Sequence, residues 1–222
     1  MAETSLFEHL EQTHGKAGYP GFAVAPGIVT ENLDIIGEGR VKVRVPSMSS
    51  FEPWARVASV GAGSDRGLCW IPQVGDEVLV AFAQNDLSTA YVLGGLWSTR
   101  DRPPLTLPTD FLIKRTIKTG VAGGLGHEVE FDDALQSITI TSSTQQKITI
   151  DPLQIKIAGT GGACTITLDT AKQSVSIEAP LKIELKATQV SIQAVKLELK
   201  GTTVDIQSAG PCTVQGLPIK LN

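Results

Sequence analysis

Short alternating strands, a near-complete lack of helical periodicity and a seven-residue apolar repeat predict an all-β protein. The strands of the first half suggest a five-stranded N-terminal barrel, and the repeat of the second half suggests a C-terminal β-helical prism. At 222 residues, 41% of them hydrophobic, the chain can bury a core without metals or disulfides.

Residues 1–24 read as a separate leading segment. Within them Ser5 to Thr13 places Leu6, Phe7 and Leu10 at helical spacing behind a Ser5 cap, and Gly15, Gly18, Pro20 and Gly21 end the pattern. Met1 to Tyr19 carries acids and histidines where a secretory signal has a basic start and an apolar run. No stretch of the chain approaches 18 apolar residues.

Residues 25–97 carry the barrel. Val41 to Val45 alternates strictly, Ala55 to Val60 follows, and Glu77 to Phe82 and Tyr91 to Leu93 complete a set separated by Gly, Pro and Asp turn signals. About five short strands in so few residues fit the OB-fold. Pro72, Gly75 and Asp76 suit the turn into one strand, whose buried face is Val78, Val80 and Phe82. Residues 98–115, with Pro103, Pro104 and Pro108, form a linker that neither helix nor central strand accommodates well.

From residue 116 to 222 apolar residues recur in pairs, from Ile138/Ile140 to Val204/Ile206. The last four pairs begin at Ile183, Val190, Leu197 and Val204, seven residues apart, while earlier spacings run from seven to eleven. Side chains alternate with period two along a strand, so an odd repeat that keeps its pair inward breaks the alternation once per unit. The breaks are expected at Ala187-Thr188, Ala194-Val195 and Gly201-Thr202. Flat faces joined by regular corners describe a prism. Lys182, Glu184, Lys186, Gln189, Ser191, Gln193, Lys196, Glu198 and Lys200 then point outward. Periodicity leaves open whether one chain stacks on itself or three chains intertwine.

Composition excludes some functions. A net charge of -4 and 5% aromatic residues argue against nucleic acid, which calls for clustered cations and stacking aromatics. Cys69, Cys164 and Cys212, an odd number without CxxC spacing, read as free and mostly buried thiols of a protein made in a reducing cytoplasm.

Five motifs occur in order: Gly39 to Val43 with Arg40, Trp54 to Val57, the long block Trp70 to Phe82 with Pro72, Gly75 and Asp76, Val92 to Trp97 with Gly94, and Gly126 to Asp133 with His127 and Glu128. Together with the β-helical tail they resemble the phage baseplate assembly protein V family and the OB plus β-helix part of type VI secretion VgrG spikes, over roughly residues 25–222. The resemblance implies an intertwined homotrimer acting as the central spike of a contractile injection system. It implies a separate trimeric hub protein at the base, since only about 25 residues precede the barrel, and other baseplate components around it. It also implies assembly in the cytoplasm into a phage tail-like particle, with only transient contact with a target membrane on firing. The end of the chain resembles the blunt tips that a PAAR-repeat protein caps, so Leu217, Pro218, Ile219, Lys220, Leu221 and Asn222 are the expected tip contacts. The iron-binding His-x-His of some phage tips has no counterpart, the histidines being His9, His14 and His127.

No catalytic, cofactor or metal residue is expected. His127 with Glu128, Glu130, Asp132 and Asp133 reads as a turn entering the first rod strand rather than an acid/base site. Gly120 to Gly126 lacks the Lys-Ser/Thr of a phosphate loop and reads as a neck, and Gly159 to Gly162 reads as an irregular corner. The linker leaves no room for a peptidoglycan-cleaving domain. Glu178, Glu184, Glu198 and Asp205 alternate with lysines, as on a solvated face rather than in a hydrolase groove. The alternative to a piercing spike is an OB-fold binding module on a structural β-helix.

Overall fold

The computed structural model describes residues 23–46, 52–83, 86–120 and 126–219. The expected helix of Ser5 to Thr13 and the terminal Lys220 to Asn222 lie outside the described residues. Contacts divide the chain after Pro180 into two units, each taken by itself below.

The first unit begins with a closed barrel. Its strands β1 (Ala23–Glu31), β2 (Arg40–Arg44), β3 (Trp54–Val57), β6 (Glu77–Phe82) and β7 (Ala90–Gly95) close in the order β1-β2-β3-β7-β6. The small hairpin β4 (Ala62–Gly63) and β5 (Arg66–Gly67) stands between β3 and β6. All barrel pairings are antiparallel except β3 with β7. Val29, Val41, Val43, Val45, Ala55, Val78, Val80, Phe82 and Val92 fill the interior, each at most 1% exposed. The alternation read from Val78, Val80 and Phe82 is therefore the packed face of β6.

Two local readings change. The strand read as Ala55 to Val60 stops at Val57, and β1, which no alternation announced, contains Pro26 and Gly27. Proline cannot donate to a ladder. Pro26 pairs with Leu79 of β6, but the ladder to β2 starts only at Ile28, so Pro26 has a neighbour strand on one side alone.

Past the linker, the single-turn helix α1 (Asp110–Ile113) runs into β8 (Lys114–Lys118). The sequence reading placed no helix here and started the rod at 116. Then β9 (Glu128–Asp132), β10 (Ser137–Thr141), β11 (Lys147–Ile150), β12 (Gln154–Ala158), β13 (Thr165–Asp169) and β14 (Ser174–Glu178) follow as a seven-stranded antiparallel meander in chain order. Gly126 to Asp133 is thus chiefly a strand, not a turn. Each apolar pair up to Val175/Ile177 does lie in a strand, but the strands reverse instead of coiling onward. Reversal is built into the connections: Gln136, Gln145 and Gln173 hold positive φ at three hairpin bends. A single 3-10 turn, Thr160–Gly162, occupies the long eleven-residue spacing.

The second unit, Leu181 onward, carries no helix, strand ladder or backbone-to-backbone hydrogen bond among its described residues. It bends at Leu181, Thr188, Val195, Thr202 and Ala209, seven residues apart, and again at Leu217.

The cysteines correct an expectation. Cys69, Cys164 and Cys212 are all exposed in the chain. Cys69 lies in the loop after the small hairpin, Cys164 beside the 3-10 turn and Cys212 in the second unit, and none of them belongs to the barrel core.

Candidate functional site and assembly surfaces

The barrel's ladders fix which loops share an end. Ile28 of β1 faces Glu77 of β6, Val78 faces Gly95 of β7, and β3 runs parallel to β7. Hence the β1–β2 loop, the segment after β3, the turn before β6 and the exit toward the rod gather at one end.

At that end Asp34 organises the β1–β2 loop. Its carboxylate accepts from the backbone N–H groups of Ile36, Glu38 and Arg40 at 3.0–3.1 Å and from Arg40 Nε and Nη2 at 3.2 and 3.0 Å. The Arg40 guanidinium, which also lies 5.7 Å from the Trp54 ring centroid, holds Asp34 far below the usual carboxylate range. The clamp displays Leu33, Ile35 and Ile36 to solvent, Ile35 being 91% exposed. Arg40 and Trp54 were singled out from motifs; Asp34 was not. An Asp six residues before the motif arginine, with two glycines between, was the available signal.

Trp70, Pro72, Asp76, Gly94 and Trp97 line one open cleft of about 580 Å³ at this end. The turn beneath is pinned to β1: Gly75 donates to the Val29 carbonyl at 2.9 Å, Val29 to the Asp76 carbonyl at 3.0 Å, and Gln73 to the Asp76 carboxylate at 2.8 Å. Gly75 has φ +98°, a conformation side chains rarely adopt. Trp97 remains 71% exposed.

The acidic block is engaged within the sheet. Lys114 reaches Glu130 at 3.3 Å and Asp132 at 3.5 Å, and Lys118 reaches Glu128 at 3.2 Å. Glu130 beside Lys114 raises the lysine's pKa. Asp132, 4% exposed, accepts the Leu135 N–H at 2.9 Å, which with Lys114 lowers its own. His127 accepts from Ser143 N–H through Nδ1 at 3.3 Å, and its own N–H donates to Thr119 Oγ1 at 2.9 Å. A side chain on Gly126 would overlap the Thr119 carbonyl, so this hairpin closes only around glycine. Among the described residues no three His, Cys, Asp or Glu side chains cluster to hold a metal ion.

The sheet presents a continuous apolar stripe. Register aligns Val129 with Ile140, Ile140 with Ile148, Ile148 with Ile157, Ile157 with Ile166 and Ile166 with Ile177. A parallel row runs from Phe131 through Ile138, Ile150, Ile155 and Leu168 to Val175. The isoleucines of both rows stay open to solvent, Ile157 by 43%. In the second unit Ile183, Leu185, Val190, Ile192, Leu197, Leu199, Val204 and Ile206 are exposed as well. Of the residues expected at the tip, Leu217 and Ile219 are exposed. No helix among the described residues is long and apolar enough to cross a membrane.

Comparison with known proteins accounts for the barrel. Residues 25–97 match the family of the type VI secretion system/phage-baseplate injector OB domain. The type VI secretion system spike protein VgrG2a of Pseudomonas aeruginosa is 34% identical over 127 residues, 54% of this chain and 15% of that protein. The spike protein VgrG3 of Vibrio cholerae is 32% identical over 134 residues, 57% of this chain and 13% of that protein. The actin cross-linking toxin VgrG1 of Vibrio cholerae is 31% identical over 121 residues, 51% of this chain and 11% of that protein. The matches span less than a fifth of these three relatives. Residues 25–97 are thus similar to the injector OB domain, and somewhat over half of the chain is similar to VgrG spike proteins.

Proposed function

We propose that this chain is the central spike of a contractile injection system. Three copies assemble with the barrel as base, their seven-stranded sheets turned inward as three faces, and the segment from Leu181 onward intertwined as a triangular rod. The base sits on a separate trimeric hub, a PAAR-type protein caps the blunt end around Leu217 to Asn222, and sheath contraction drives the rod through a target envelope. The chain performs no chemistry of its own, the piercing work being mechanical.

One observation carries the reading. Between Leu181 and Ala209 the chain bends every seven residues, and from there to Ile219 it still exposes its apolar residues and makes no backbone-to-backbone hydrogen bond within the segment. Such a segment satisfies its amides and its apolar side chains only against other chains. The stripe on the seven-stranded sheet supports the same conclusion, since three copies turned inward about one axis bury it without any further partner. The relatives VgrG2a and VgrG3, both named spike proteins, supply the context. A rod whose amides are all paired resists bending, and the barrel gives it a rigid seat.

Hydrogen–deuterium exchange on the whole chain tests this. Amides from Lys182 to Ser208 exchange slowly if they pair with other copies. Exchange at the rate of an unstructured peptide throughout that segment sinks the proposal.

A further inference from the structure

The outward side chains of the second unit alternate between charged and uncharged segments. Lys182 and Lys186 both reach Glu184 Oε1, at 3.2 and 3.0 Å, so the three share one face of their segment. Fourteen residues on, Lys196 pairs with Glu198 and Lys200 reaches it at 2.8 Å. Between these two segments stand Gln189, Ser191 and Gln193, which are uncharged, and beyond them Thr203, Asp205 and Gln207.

The consequence depends on what stacks on what, and here the inference rests on the trimer reading above. A chain that turns one corner every seven residues returns to its starting face after three segments. In a single self-stacked chain, neighbours on one face are therefore 21 residues apart. In a threefold intertwined rod, each face receives segment n from one chain, n+1 from the second and n+2 from the third. Neighbours are then seven residues apart and belong to different chains, at the strand spacing of about 4.8 Å.

We infer that the alternation of charged and neutral segments sets the register in which three copies of this chain intertwine. Residues seven apart face one another across chains. Gln189 lies between Lys182 and Lys196, Ser191 between Glu184 and Glu198, and Gln193 between Lys186 and Lys200 of the other two copies. Each neutral residue separates two like charges, which would repel if they faced each other directly. A slip of one copy by one segment instead lays identical rows side by side, so that Lys182, Glu184 and Lys186 of one copy face the same three residues of another, like charge on like. Asp205 is the one acid that meets another, Glu198, and Glu198 is already flanked by Lys196 and Lys200, which lower its pKa. The same spacing makes the neutral segment a detector of its neighbours: position 191 sits in an acidic column and position 193, two residues away on the same face, in a basic one.

The test uses two variants of the whole chain that add the same charge to the same segment, Ser191→Lys and Gln193→Lys, with Ser191→Glu and Gln193→Glu as the reversed pair. At low salt S191K melts above the parent trimer and Q193K below it, by several degrees each. The reversed pair inverts that order, and the gaps close as salt approaches about 1 M, where the screening length falls to about 3 Å. Trimeric variants that melt together, or in an order independent of position, overturn the register inference and leave the spike reading standing. A monomeric mass for the parent chain overturns both.

Discussion

The barrel and the rod use the same residue types to opposite ends. Val41, Val78, Val80 and Val92 are wholly hidden within one chain, because five short strands closing on themselves leave the inner face no access to water. Ile140, Ile148, Ile157 and Ile166 form an equally regular apolar surface, yet stay exposed because an open sheet has nothing behind it. Beyond Leu181 the described residues form no backbone-to-backbone hydrogen bond among themselves. Closure therefore makes the barrel a folding unit, and under the proposed spike function the open half is an assembly unit. A mutation should report as stability in the first and as oligomeric state in the second.

The largest effect is expected from breaking the rod's side of that contrast. Ile157→Asp puts a charge at the centre of the stripe, between Ile148 and Ile166. The trimer is lost in sedimentation, while Trp54 and Trp70 keep the fluorescence of a folded barrel. Phe82→Ala attacks the other side: removing the largest fully buried side chain costs the barrel about 3–5 kcal/mol in denaturant unfolding. Its expected effect on assembly at moderate temperature is nil.

A smaller effect follows from Asp34. Its pKa is lowered in the folded barrel, so its contribution is complete above the unfolded value of about 3.9 and fades as pH falls toward the folded one. Asp34→Asn flattens this part of the acid-unfolding curve followed by tryptophan fluorescence, leaving stability at pH 7 lower than in the parent. Removing Leu217 to Asn222 is the gentlest change. The trimer's mass falls only by the deleted residues, while retention of a PAAR-type tip protein in a pull-down is lost.

Much of this was legible in the sequence, and for definite reasons. Strict alternation at Val41 to Val45 and Glu77 to Phe82 announced buried strand faces, and the sevenfold spacing announced corners that the chain does make at Thr188, Val195 and Thr202. β1 was not legible because Pro26 and Gly27 break its propensity, a break that its one-sided pairing tolerates. The meander of residues 114–178 was not legible because a strand pair has the same period whether the chain then reverses or turns a corner. Gln136, Gln145 and Gln173, which hold the reversing bends, carry no compositional signal as glycine or asparagine would. Asp34 escaped notice because a loop carboxylate is read as solvated until its five donors are seen together. The cysteines were misread because a low-polarity residue was assumed to follow a core, whereas Cys69 lies in a loop outside the barrel core and Cys164 and Cys212 lie in a half of the chain that lacks one.

The central claim is that the rod is completed by other copies of this chain. Light scattering on a sizing column tests it most directly. The account predicts about 70 kDa, three times the 23.5 kDa of one chain, unchanged on dilution. A mass of 23.5 kDa across a wide concentration range would contradict it.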